Sequence, residues 1–143
     1  MLTQTEADAL IAMPKSFLSP TTISMPAGSD QTHELAGSDK KERFLLDLSR
    51  GTIRLSKVKF QTRGRSVIVL VRLDLDGGPH TNPDGSRVGR THIHLYREGF
   101  DDKWAYTIEP TFFSTPEDIE ETFARFCEYC NIIGIPDFQE GLL

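Results

Sequence analysis

The strongest apolar periodicity in the chain runs over residues 67–75. Val67, Val69, Val71, Leu73 and Leu75 fall on one face without a gap, and Ile68 and Leu70 make the first half apolar on both sides. Period-two alternation marks a half-buried strand. The second half of this strand turns Arg72 and Asp74 to the opposite face, with Asp76 following in phase. A second alternating stretch covers 91–97, with Thr91, Ile93 and Leu95 on one face and His92, His94 and Tyr96 on the other. Residues 43–48 and 103–108 read as further strands. Residues 53–60 lose phase between Leu55 and Val58, which a bulge near Ser56-Lys57 reconciles. Thr62-Arg-Gly-Arg65 reads as a hairpin turn around Gly64, and 37–41 as a polar turn. The proline- and serine-rich stretch 14–30 reads as irregular, with a short strand at 21–24.

Two segments switch to helical spacing. Thr3-Gln-Thr-Glu6 fits a capping box opening a helix near 4–13, which Pro14 stops. Thr115 as N-cap and Pro116 at the first helical position open a second helix. Its apolar stripe is Ile119, Phe123, Phe126, Cys127 and Cys130, with Asn131 at its C-terminal end. The spacers between strands are too short for parallel crossovers. The expected class is therefore α+β: a mainly antiparallel sheet of about five or six strands, with a short N-terminal helix and a C-terminal helix packed on it. One domain is expected over 1–143, with 1–41 as N-terminal helix and irregular segment, 42–109 as sheet and 115–131 as C-terminal helix.

Length and charge narrow the class further. At 143 residues the chain fits a single domain of about 100–200 residues. No apolar run approaches the roughly 20 residues of a membrane span, and the polar N-terminus is unlike a secretory signal. A cytoplasmic protein without membrane attachment is the expectation. The net charge of −5 argues against a general affinity for nucleic acid. The charge is unevenly spread, however. Residues 40–103 hold 14 of the 16 Lys/Arg but only 8 of the 21 Asp/Glu. A basic middle and an acidic end leave room for a polyanion site on one face, or simply neutralise each other on folding.

Candidate chemistry concentrates between Arg72 and Glu98, where three of the four histidines lie. Antiparallel pairing of the two strands with Asp74 opposite His92 sets Arg72 opposite His94. Arg72, Asp74, Asp76, His92, His94, Tyr96 and Glu98 would then share a face, and the intervening loop would carry His80 over them. A carboxylate beside a histidine fixes its tautomer, and arginine holds phosphate bidentately. That combination suits proton transfer at a phosphodiester, with His80, His92 and His94 as acid–base groups, Asp74 orienting and Tyr96 as a further donor. Arg72, Arg87, Arg90 and Lys103 are the candidate substrate-binding residues. A metal site is the second option: His92 and His94 lie about 6–7 Å apart along one strand face, and His80 or Glu98 could complete the ligands. The leading expectation involves no metal and no cofactor.

Other motifs carry less. Cys127-Glu-Tyr-Cys130 lies within the apolar stripe of a helix, not at a helix start after a strand, and reads as core. Trp104 and Tyr106 could stack a base, but they read first as packing residues. No Gly-x-Ser-x-Gly elbow and no phosphate-cradling loop is present in the sequence.

The layout Arg72-Leu-Asp74, Pro79-His80, Asn82-Pro-Asp-Gly85, His92-Ile-His94-Leu-Tyr96-Arg-Glu98, followed by Asp102-Lys-Trp104 and Tyr129-Cys-Asn131, resembles an uncharacterised family of small bacterial and prophage proteins. Residues 72–96 are also loosely similar to TumE-type toxins of toxin–antitoxin pairs, although the chain lacks their adjacent His-His pairs. The resemblance implies a mobile-element setting and RNA as substrate. The expected function is thus a small toxin-like, metal-independent ribonuclease. The alternative is an acidic phage or prophage protein that inhibits a host defence protein by binding it. The corresponding partners are RNA, or a protein such as an antitoxin or a host defence enzyme.

Overall fold

The computed structural model describes residues 1–139. Helix α1 spans Gln4–Ala12. Thr3 caps it by accepting from Glu6 N, while the Glu6 carboxylate accepts from Thr3 N. Strands β1 (Lys15–Phe17), β2 (Thr22–Ser24), β3 (Asp30–Gly37), β4 (Arg43–Arg50), β5 (Val58–Gly64) and β6 (Ile68–Leu75) follow. A small hairpin, β7 (His80–Thr81) and β8 (Arg87–Val88), precedes β9 (His92–Leu95), β10 (Ala105–Thr107), helix α2 (Ile119–Tyr129) and β11 (Asp137–Gln139). Seven strands form one sheet in the order β1-β3-β4-β5-β6-β9-β10, antiparallel at every step. Strands β2 and β11 pair in parallel beside it. The expected α+β architecture holds, with a wider sheet than the five or six strands anticipated.

The extra width comes from the segment expected to be irregular. Strand β3 carries few apolar residues, and its first half is largely solvated; Leu35 is its one fully buried large side chain. A strand half in water has no reason to alternate, so periodicity misses it. Strand β1 is held by Lys15, whose side chain is buried. Its ammonium donates to Ile11 O at 2.8 Å and Met13 O at 2.9 Å at the end of α1, and to Cys130 O at 2.8 Å at the end of α2. A cation there satisfies carbonyls that no helical N–H reaches and meets the negative ends of both helix dipoles. Burial nevertheless pushes the Lys15 pKa down to about 8.

Four local expectations are corrected. Residues 51–57 form a loop, closed by Gly51 N donating to Lys57 O at 2.8 Å, and Ile53 is almost fully exposed. The bulge sits at Thr62/Arg63 instead of Ser56-Lys57. The β5–β6 turn falls at Arg65 and Ser66, with φ of 52° and 70°, and leaves Val67 exposed beside it. Helix α2 starts three residues late. Asp118, not Thr115, is its N-cap and accepts from Glu121 N. An aspartate brings charge to the helix N-terminus as well as an acceptor.

The core lies on one face of the sheet. Leu35, Phe44, Leu46, Leu48, Phe60, Leu73 and Ile93 meet Ala7 and Leu10 of α1 and Ile119, Phe123 and Phe126 of α2. Phe60 packs edge-on to Phe123, with ring centroids 5.4 Å apart. Each fully buried phenylalanine contributes about 1.5–3 kcal/mol. The opposite face carries a polar row across five strands: Thr32, Asp47, Gln61, Arg72 and His94 are successive cross-strand partners. The candidate site lies at the far end of this row.

Candidate functional site

Strand β6 ends in Arg-Leu-Asp-Leu and β9 is His-Ile-His-Leu, so each sends one side chain in two to the polar face. They pair in the expected register, Arg72 opposite His94 and Asp74 opposite His92. The Asp74 carboxylate reaches both histidines, with Oδ2 at 3.2 Å from His92 Nε2 and 3.4 Å from His94 Nε2. Arg72 lies in the same layer, its Nη2 2.9 Å from His94 Nε2 and its Nη1 donating to Asp102 Oδ2 at 3.0 Å. Burial works to raise the Asp74 pKa, but it is outweighed, in part by the Arg72 charge, and the carboxyl is held below its usual range.

The histidines are fixed from behind. His92 Nδ1 lies 2.7 Å from Gly89 O, and His94 Nδ1 2.8 Å from Asp102 O. Carbonyls only accept, so each Nδ1 carries the hydrogen. Each Nε2 is thereby turned toward Asp74. His94 Nε2 is an acceptor for Arg72, because guanidinium has nothing but donors. His92 thus faces an oxygen acceptor at both nitrogens, and a proton shared with Asp74 bridges the 3.2 Å between Nε2 and Oδ2.

A lid covers this layer. The loop expected between the strands folds as the β7–β8 hairpin, closed by Asn82 N donating to Ser86 O at 2.8 Å, with Gly85 in the left-handed region at φ 88°. The buried Asn82 side chain pins it to the sheet edge, donating to Ala105 O at 3.0 Å and accepting from Ala105 N at 2.8 Å. His80 Nε2 donates to Lys103 O at 2.7 Å, which leaves Nδ1 as its acceptor. The His80 ring centroid lies 4.7 Å from that of His94 and 5.8 Å from that of His92. Under this lid His92 and His94 are only 2% and 1% exposed. His80, Asp74 and Arg72 keep partial access. Beside Asp74 a cleft of about 430 Å³ opens, lined also by Lys57, Lys59, Gly77 and Gly78.

The structure therefore gathers Arg72, Asp74, His80, His92 and His94, and separates the remaining candidates. Tyr96 is buried on the core side, where its hydroxyl donates to Leu2 O at 2.6 Å and accepts from Leu2 N at 3.1 Å. Strand β9 ends at Leu95, so the alternation does not carry through to Tyr96. Arg90 pairs with Asp76 at 3.2 Å. Arg87 is exposed on the hairpin, and Lys103 is exposed and meets the cluster through its backbone carbonyl. Glu98, weighed as a metal ligand, instead accepts from Gln4 N at 2.7 Å. Two members escaped sequence reasoning. Asp102 holds Arg72 by its side chain and His94 by its carbonyl, but Gly99-Phe-Asp-Asp102 signals only a turn. Asn82 has the same history, as a residue whose neighbours mark it only as loop.

The remaining motifs are structural. Cys127 and Cys130 are buried, and burial pushes the Cys130 thiol up to about 12. The Trp104 ring carries Arg97 over its face at 4.2 Å and meets Phe100 edge-on. Among the described residues no helix is long and apolar enough to cross a membrane.

No curated protein and no solved structure matches the chain. A family model does, over residues 2–132, a range that takes in both helices, the whole seven-stranded sheet and every member of the histidine cluster. The chain belongs to that family, described as a family of unknown function, DUF6978.

Proposed function

We propose that the protein is a small, metal-independent ribonuclease of toxin type, encoded by a bacterial mobile element or prophage. The observation that carries this reading is the convergence of Arg72, Asp74, His92 and His94 beneath an anchored hairpin that carries His80, all three histidines being oriented by backbone carbonyls. His80 is the group that meets substrate. Its free Nδ1 removes the proton from a ribose 2′-hydroxyl as the 2′-oxygen bonds to the adjacent phosphorus, the bond from phosphorus to the 5′-oxygen breaks with that oxygen taking a proton from water, and Arg72 stabilises the charge that grows on the attacked phosphate. His92, His94 and Asp74 lie behind and hold Arg72 and His80 in place. Lys57 and Lys59 line the approach for an anionic backbone. The likeness of residues 72–96 to TumE-type toxins points to the same substrate.

The test is cleavage of structured and unstructured RNA by purified protein in excess chelator. Cleavage that falls by about 100-fold or more in His80→Ala and Arg72→Ala supports the reading. Absence of cleavage, together with unimpaired growth of several hosts expressing the protein, overturns it.

The burial of His92 and His94 favours a second reading, in which the cluster only shapes a surface and the protein inhibits a host protein by binding. Recovery of one stoichiometric protein partner from host lysate, unaffected by His80→Ala, would select it.

A further inference from the structure

We propose that Asp74, His92 and His94 form a binding site for a divalent transition ion of the zinc type. The ion takes the place held by a proton and the Arg72 guanidinium between these three groups. The inference uses the side chains of the ribonuclease reading but does not depend on that reaction.

Three observations carry it. The first is spacing. Asp74 Oδ2 lies 3.2 Å from His92 Nε2 and 3.4 Å from His94 Nε2, and all three ligand atoms lie within 4.8 Å of one another. Zinc bonds of about 2.0–2.1 Å in a tetrahedron separate neighbouring ligand atoms by about 3.3–3.4 Å. Two of the three edges are already at that length, and the third, between the two imidazoles and no longer than 4.8 Å, is the one that shortens on binding.

The second is the outer layer. Histidines that bind metal donate their other ring N–H to a carbonyl or carboxylate, which fixes the tautomer and aims the lone pair. His92 does so to Gly89 O and His94 to Asp102 O. Both carbonyls belong to chain held locally: Gly89 follows the β7–β8 hairpin directly, and Asp102 is the residue that grips Arg72.

The third is the pairing of a carboxylate with two imidazole nitrogens. With Nδ1 committed to a carbonyl, His92 presents Nε2 to a carboxylate, an arrangement that holds only with a cation or a proton between them. Asp74 Oδ1 is buried and accepts no hydrogen bond, although Arg72 Nε lies 3.3 Å away. Two imidazoles and one carboxylate suit zinc, cobalt or nickel; magnesium and calcium prefer oxygen ligands.

Arg72 is the competitor. Its Nη2 occupies the His94 lone pair, and its Nη1 is held by Asp102. On metal binding it gives up His94 and keeps Asp102. The same geometry makes the ion an inhibitor of any reaction that needs Arg72 against His94.

The experiment is calorimetric titration of chelator-stripped protein with zinc chloride, with cobalt(II) absorption reporting coordination geometry. A single ion per chain is expected, with the intense visible bands of tetrahedral cobalt. His92→Ala, His94→Ala and the near-isosteric Asp74→Asn should lose it. Arg72→Gln should bind at least as tightly as wild type, and His33→Ala should be unchanged. Histidine ring resonances of the unmodified protein give a readout independent of variant folding: zinc should move those of His92 and His94 and leave that of His33. No uptake by wild type, uptake surviving in the His92→Ala/His94→Ala double variant, or unmoved His92 and His94 resonances overturns the inference. RNA is absent from this titration and metal from the cleavage assay, so each proposal fails alone.

Discussion

Arg72 and His94 stand directly opposite each other on adjacent strands, and the guanidinium Nη2 lies 2.9 Å from His94 Nε2. Cross-strand neighbours are the closest pairs a sheet offers, so this contact is a consequence of register. It makes a cation the partner of a neutral imidazole and ties the histidine layer to Asp102.

Loss of that cation should be felt in stability as well as activity. Arg72→Met leaves Asp74 and Asp102 facing each other's charge without a shared partner. Hydrogen bonds to charged groups contribute about 1.5–3 kcal/mol each, so urea unfolding should show a loss of about 2 kcal/mol or more. Arg72→Lys should recover little of it, because an ammonium cannot span Asp102 and His94 at once.

Asn82→Ala should release the lid without unfolding the sheet. Both bonds to Ala105 disappear, and the hairpin keeps only the His80–Lys103 tie to the sheet edge. Hydrogen exchange of amides 80–88 should accelerate about tenfold or more, as expected for loss of about 1.4 kcal/mol of local stability. Amides of β4 and β5 should keep their protection.

Asp47 should set the acid limb of stability. Burial works to raise its pKa, but hydrogen bonds from Arg63, Gln61 and Thr32 outweigh it and hold the folded value below the ordinary one. A carboxyl with a depressed folded pKa stabilises fully above its unfolded value of about 3.9, and the contribution is lost as pH falls through the folded value. Wild type should therefore lose more stability than Asp47→Asn between pH 5 and pH 2, measured by urea midpoints at each pH.

Lys15→Met should be among the most damaging single changes. Its volume fits, but the carbonyls of Ile11, Met13 and Cys130 lose their donor in a buried place. Stranding buried acceptors costs about 1–3 kcal/mol each, although some will recruit water. A fall in thermal midpoint of several degrees checks it.

The sequence discloses those parts of this fold in which one face is dry and the other wet. Residues 69–75 and 92–95 alternate because each strand separates the core from the polar face, and from that alternation the shared face of Arg72, Asp74, His92 and His94 could be read. The capping box at Thr3 was legible because its chemistry is local. Strand β3 was not, since solvent reaches both sides of its first half. Residues 53–57 imitate the start of a strand because Ile53 and Leu55 alternate, although Gly51 closes a tight loop there. Tyr96 was assigned to the wrong face because alternation was extended past the last paired residue. Asp102 and Asn82 act through contacts with residues outside their own turns, which leave no pattern in a neighbourhood of residues.

The two bonds between the Tyr96 hydroxyl and Leu2 link positions 94 apart in sequence. The residue that precedes helix α1's cap thus leaves a ribosome well before the tyrosine that clasps it. At about 5–20 residues per second, Leu2 waits several seconds or more for Tyr96. The clasp between Leu2 and Tyr96, just past β9, therefore closes late relative to the synthesis of helix α1, which can pack on β6 first.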